Sequence, residues 1–124
     1  MSYVFDDHSG SEVWVPARDV GKFFIATAED LADIMGVPTG LEKLAEDWYR
    51  INSQIFAEFV AKVVMQTWHH SVYKELVRGF VAVLVILLGK IGMTVEAEAY
   101  AERLALEPPL SLEALRGAMP PHPQ

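Results

Sequence analysis

The segment 71–91 constrains the fold of this 124-residue chain more than any other feature of the sequence. Its residues 80–88 are consecutively apolar, but this run is far shorter than the roughly 18 to 20 residues that span a bilayer. The apolar residues that lead into it recur at helical spacing: Val72, Leu76, Phe80 and Val81. The sequence therefore predicts a helix that is buried on most sides, by other helices or partly by a second copy of the chain.

Four further stretches are interpreted as helices. Apolar residues spaced three and four apart predict helices at about 18–35 and 53–69. A helix at about 40–51 is predicted with Thr39 as its cap and with Leu41, Leu44, Ala45 and Trp48 facing inward. The last, at about 94–107, is acidic and has only a thin apolar face.

The N-terminus is predicted to form a small β-hairpin over residues 3–15. Two short runs rich in β-branched and aromatic residues, YVF and EVWV, flank the turn formers DDHSGS. Asp6, Asp7 and His8 are accordingly interpreted as turn residues. The fold class predicted from these patterns is all-α, a compact bundle of four to five helices with this hairpin. Residues 1–107 form a single domain in this prediction, and residues 108–124 form a partly disordered C-terminal extension.

Charge and composition exclude several classes of protein. The net charge of −7 argues against a nucleic-acid partner, because such partners call for a basic surface. The absence of cysteine excludes disulfides, thiolate zinc sites and a cysteine nucleophile. No basic segment followed by an apolar one marks a secretory signal at the N-terminus, so we expect a cytoplasmic protein with no membrane partner.

The adjacent histidines His69 and His70 form the first candidate site. On a continuous helix their side chains point about 100° apart, so they cannot bind one metal from the same face. The sequence also lacks H-E-x-x-H, which places two ligands one turn apart. Their position favours the corner between helices 53–69 and 71–91, and the alternative is that one imidazole lines a ligand cavity. We expect no metal and no cofactor.

The segment 46–50, EDWYR, is the densest mixture of charged and aromatic residues. Such a mixture suits acid–base chemistry, but on the predicted helix Glu46 and Arg50 would form an ordinary ion pair. If the protein is an enzyme, the candidate catalytic residues are Asp47, His69 and His70. If it binds an apolar small molecule, the candidate lining residues are aromatic: Trp48, Phe56, Phe59, Trp68 and Tyr73.

Three stretches together resemble a known group of proteins. VWVPARDVGKFFIATAEDLADIMGVPTGL, YRINSQIFAEFV and RGFVAVLVILLGKIG resemble small actinobacterial (Streptomyces-type) proteins that are grouped as a domain of unknown function. The resemblance covers roughly residues 3–92 and consists of packing and turn motifs. It implies a cytoplasmic protein from an actinobacterial background, and it carries no catalytic or binding residue onto this chain.

The apolar segment and the lack of a catalytic motif favour a non-catalytic protein that acts through protein–protein contact and self-associates. The contact would bury segment 71–91 or the aromatic face of helix 53–69. One alternative is a small-molecule-binding protein or a cofactor-independent enzyme of specialised metabolism. A third is an acidic antidote that covers a basic toxin.

Overall fold

A computed structural model describes residues 1–93 and 97–119 of the chain. Within these ranges the chain forms four strands and five helices: β1 (Val4–Asp6), β2 (Glu12–Trp14), α1 (Arg18–Met35), β3 (Leu41–Ala45), β4 (Trp48–Ile51), α2 (Ser53–Trp68), α3 (Ser71–Lys90), α4 (Ala97–Leu106) and α5 (Leu112–Gly117). The predicted all-α helical bundle is therefore wrong, and the protein has an α+β fold. The predicted start of the last helix, residues 94–96, and the end of the C-terminal extension, residues 120–124, lie outside the described residues.

The strands form one mixed sheet in the order β2-β1-β4-β3. β1 pairs antiparallel with β2 and parallel with β4, and β3 pairs antiparallel with β4. In the turn after β1, Asp7 Oδ1 accepts hydrogen bonds from the backbone N–H groups of Ser9 and Ser11, at 2.9 and 3.0 Å. Asp6 was interpreted as part of that turn, but it lies in β1 and is buried.

Residues 40–51 form a β-hairpin, and the helix predicted there is wrong. Along β4 the exposure alternates, since Trp48 is exposed whereas Tyr49 and Ile51 are buried. This period of two matches the alternating faces of a sheet. Gly40, just before β3, has a φ of +82°, a left-handed conformation that does not start a right-handed helix.

Aromatic side chains connect the sheet to the helices. The Phe5 ring of β1 lies 5.5 Å from the Phe24 ring of α1, which lies 5.3 Å from the Phe80 ring of α3. α2 supplies the middle of the core, with Phe56 and Phe59 fully buried. The polar residue before α2 determines where this helix begins, because Asn52 Oδ1 accepts from the backbone N–H of Ile55 at 3.1 Å.

α3 packs against α2 and α4, and it also contacts β2. Arg78 Nη1 donates to the backbone carbonyls of Leu104 and Glu107, and Lys74 forms a 3.4 Å ion pair with Glu107. These contacts hold the C-terminal end of α4 on one side of α3. No helix in the described parts of the chain is long and apolar enough to cross a membrane.

Candidate interaction surface

One face of α3 points to solvent although it is apolar. Leu76 is 81% exposed and Ile86 is 60% exposed. We define the α3 outer face by the residues that line it: Leu76, Gly79, Ala82, Val83, Ile86 and Gly89. The opposite face of the same helix is buried in the core, through Val77, Val81, Leu84, Leu87 and Leu88. A contiguous apolar face on a small protein is a characteristic of interaction sites.

Two glycines lie within α3 where the described residues give no packing reason for them. Apart from the chain neighbours and the helix's own backbone, no described heavy atom would lie within 4 Å of a Cβ atom added at Gly79 or at Gly89. A glycine inside a helix costs about 1 kcal/mol relative to alanine. The described part of the protomer would therefore accept alanine at both positions, and its own packing does not require glycine there. The sequence signal for them was two glycines ten residues apart within one helix, and the prediction of a helix buried on most sides did not use it.

Charged side chains stand only at the two ends of the α3 outer face. Glu75 precedes it and Lys90 follows it. Arg78 lies between them in sequence, but it is turned toward α4 and also donates to Glu75 Oε1 at 2.8 Å. This hydrogen bond lowers the pKa of Glu75, so the carboxylate is ionised at neutral pH. Lys90 Nζ donates to the backbone carbonyl of Val13 at 3.2 Å.

The aromatic residues proposed as ligand contacts are distributed over β4, α2 and α3. Phe56 and Phe59 are fully buried core residues whose ring centroids lie 6.5 Å apart. Trp48 is on the sheet, and the side chain of Trp68 lies outside what the structure describes. The Tyr73 hydroxyl is buried and has no hydrogen-bond partner among the described residues, and burial raises its pKa.

His69 and His70 occupy the corner between α2 and α3, and both are exposed. The His70 ring centroid lies 6.5 Å from that of Tyr73. Both histidines line an open groove of about 460 Å³, together with residues along α2: Glu58, Ala61, Lys62, Met65 and Gln66. Neither imidazole is enclosed, but both border a groove that mixes apolar and charged side chains.

Asp47 and Trp48 lie where the chain turns from β3 into β4, and the whole of α2 separates them from the histidine corner. The Asp47 backbone carbonyl accepts from the N–H of Val4 at 2.8 Å. Trp48 Nε1 donates to Asp6 Oδ2 at 2.6 Å. Asp6 is only 3% exposed, and its Oδ1 atom has no hydrogen-bond partner among the described residues. Asp47 also lines a cavity of about 600 Å³ with residues from the N-terminus and α1: Met1, Ser2, Tyr3 and Arg18, besides Ala45 and Glu46.

The histidine and carboxylate side chains of the described residues do not gather into a group of three that could hold a metal ion. No curated protein and no solved structure matches the sequence. A family model does match, over residues 1–120. This match includes the C-terminal segment, which extends beyond the stretch 3–92 of the resemblance. The chain therefore belongs to a family of unknown function, DUF6086.

Proposed function

We propose that this protein acts without catalysis, through protein–protein contact, and that it self-associates through the α3 outer face. The observation that supports this proposal is the exposure of Leu76 and Ile86 on a helix face that has no outward charge between Glu75 and Lys90. Removing apolar surface from water contributes roughly 25 cal/mol per Å². A partner that covers this face would therefore gain binding energy without desolvating a charge.

Electrostatics also favours this helix as the contact between copies. The whole chain has a net charge of −7, whereas segment 71–90 contains one acidic residue, Glu75, and three basic ones, Lys74, Arg78 and Lys90. Two acidic copies repel each other over most of their surfaces. They repel least where the α3 outer faces meet, because Lys74 and Arg78 are paired with Glu107 and Glu75 and no charge points outward between Glu75 and Lys90.

Sedimentation velocity at tens of micromolar protein tests the proposal. We expect the wild-type chain to sediment as an oligomer, and Ile86→Glu to shift it to the monomer because a carboxylate would be desolvated in the contact. Ile34→Glu is the matched control, because Ile34 is an isoleucine on another helix, α1, and is 74% exposed. A wild-type monomer, or equal effects of the two substitutions, would remove the proposal.

A second candidate function is the binding of an apolar small molecule in the groove beside His69 and His70. The supporting observation is the groove of about 460 Å³, in which exposed Met65 supplies an apolar surface and the imidazoles supply polar groups. Native mass spectrometry of protein purified without added ligand tests this candidate. A bound molecule that is lost in Met65→Glu favours it, and the bare mass of the polypeptide counts against it.

The proposal places this activity in the cytoplasm of an actinobacterial cell, as the resemblance of the sequence implies. Fractionation of a producing strain, with an antibody against this chain, tests the compartment. Recovery from the culture medium or from the membrane fraction would contradict it.

A further inference from the structure

We propose that two copies pack their α3 helices antiparallel across a two-fold axis at the level of Ala82 and Val83, with Ile86 of each copy over Gly79 of the other. This inference rests on the proposed function, because it assumes that the α3 outer face is the contact. It adds the orientation, the register and the residues that meet.

The spacing of residues along α3 supports this register. Gly79 and Ile86 lie equally far from the midpoint between Ala82 and Val83, at about 5 Å with a rise of 1.5 Å per residue. Glu75 and Lys90 are also equally far from this midpoint, at about 11 Å. An antiparallel pair centred there therefore brings Gly79 to the level of Ile86 and Glu75 to the level of Lys90.

The sizes of the side chains are complementary in this register. Gly79 and Ile86 are seven residues apart, so they lie almost on one line along the helix. Ile86 is 60% exposed, and the space above Gly79 is open in the protomer. Ile86 of the second copy fills that space, and the small side chain of Ala82 at the axis lets the two helices approach to about 8 Å.

The charges at the two ends of the α3 outer face favour the antiparallel orientation of the helices over the parallel one. In the antiparallel pair, Glu75 of each copy approaches Lys90 of the other, whereas a parallel pair would bring like charges together. The Glu75 carboxylate accepts from Arg78 through Oε1 and also interacts with the backbone N–H of Leu110, and a carboxylate has about four lone-pair sites, so it can accept a further hydrogen bond. Lys90 donates one hydrogen bond, to Val13, and an ammonium group has three donors.

The proposed pair also gives the exposed side chain of Leu76 a contact with the second copy. Leu76 and Val83 are seven residues apart, so they lie almost on one line along α3, and Val83 lines a cavity together with Trp14 of β2. A two-fold axis perpendicular to both helices keeps this side of one copy next to the same side of the other. Leu76 of the second copy then approaches a cavity of about 160 Å³ at the C-terminal half of α3, which is lined by Trp14, Val83, Ile86, Leu87 and Lys90.

Disulfide cross-linking tests the register, because the chain has no native cysteine. A disulfide requires Cα atoms about 4.4–6.8 Å apart. In the proposed pair the two copies of position 82 face each other at the axis, whereas the two copies of position 76 lie about 20 Å apart along the helices. We expect Ala82→Cys to form a covalent dimer under mild oxidation, and Leu76→Cys and the control Ile34→Cys to remain monomeric on a non-reducing gel.

The outcomes separate this inference from the proposed function. If wild-type protein sediments as a monomer, both fail. If it sediments as an oligomer but Leu76→Cys cross-links, or Ala82→Cys does not, the register is wrong and the proposed function stands.

A charge exchange gives a second measurement that needs no covalent bond. Glu75→Lys and Lys90→Glu should each raise the dissociation constant of the dimer by about two- to tenfold. The double variant should restore it, because each pair then has opposite charges again. In a parallel pair each position would face its own copy, so the single variants would keep like charges opposed. Single variants that leave the dissociation constant unchanged therefore indicate the parallel orientation and overturn the inference.

Discussion

Replacing Trp48 by phenylalanine should destabilise the protein by about 2 kcal/mol. The substitution keeps an aromatic ring on β4 but removes Nε1, which donates to Asp6 Oδ2 at 2.6 Å. Asp6 is only 3% exposed, and its Oδ1 atom has no hydrogen-bond partner in the described chain. The variant would leave both side-chain oxygens of a buried carboxylate without a side-chain donor.

The magnitude follows from the kind of hydrogen bond. A bond to a charged group contributes about 1.5–3 kcal/mol, and a buried acceptor that loses its partner is more costly than an exposed one. The loss of ring area contributes less, because phenylalanine keeps a six-membered ring at this position and 41% of the Trp48 surface is exposed to water in any case. The hydrogen bond therefore dominates the expected change in the free energy of unfolding.

Equilibrium urea unfolding, followed by far-UV circular dichroism, measures this free energy. The proteins compared are wild type, Trp48→Phe, Asp6→Ala and the double variant. This double-mutant cycle should give a coupling energy between the two side chains of about 1 kcal/mol or more. Trp14→Phe makes the same chemical change on β2, where the described residues provide no acceptor for the indole. It should cost less than Trp48→Phe.

A loss within about 0.5 kcal/mol for Trp48→Phe, or a coupling near zero, would refute this reasoning. It would also count against the placement of Trp48 on a strand beside β1. The residues are 42 positions apart in sequence, so a helix over residues 40–51 gives no reason for them to touch. The experiment therefore tests the correction of the fold as well as the energy of one bond.

Three further substitutions should change the stability of the protomer in different directions. Gly79→Ala should stabilise the protomer by up to about 1 kcal/mol in urea unfolding. It should also weaken self-association in sedimentation, because the added methyl group would occupy the space that the proposed register gives to Ile86 of the other copy. Gly40→Ala should destabilise more than Gly36→Ala in thermal unfolding; both glycines have positive φ, but only at Gly40 would a Cβ lie 2.6 Å from the Phe56 backbone nitrogen. Tyr73→Phe should be neutral or slightly stabilising at pH 7, since the hydroxyl is buried without a described partner. Burial raises the pKa of Tyr73, so the wild-type protein should lose free energy of unfolding as the pH rises above the ordinary tyrosine pKa. Tyr73→Phe has no hydroxyl to ionise, so urea unfolding should show a smaller loss for this variant at alkaline pH.

The error over residues 40–51 shows where local patterns are ambiguous. Leu41, Leu44 and Trp48 are spaced like one face of a helix, and the same stretch also alternates in the manner of a strand at Tyr49 and Ile51. Both periods fit so short a segment. The parallel pairing of β4 with β1 decides between them, and this partner is more than forty residues away in sequence.

The candidate site residues also divide into those whose position the local sequence indicated and those whose surroundings depend on tertiary packing. The sequence indicated that His69 and His70 stand at a corner between two helices, because cap-forming and polar residues interrupt the apolar pattern there. It placed Phe56 and Phe59 on the apolar face of a helix but left open whether they line a ligand cavity or fill the core, where they lie. It did not indicate that Asp6 is buried and accepts a hydrogen bond from Trp48. Burial depends on which elements pack together, and a local pattern does not contain that information.

The sequence by itself determined that segment 71–91 is a helix with too much apolar surface for an ordinary exposed one, because a long helical period and a continuous apolar run are local properties. It also determined that this helix has few charges. Only the tertiary structure decided which side of the helix is covered by α2 and α4 and which side, with Leu76, Gly79 and Ile86, remains exposed. An apolar run has no preferred side of its own, so the packing of the neighbouring elements assigns one side to the core and leaves the other exposed.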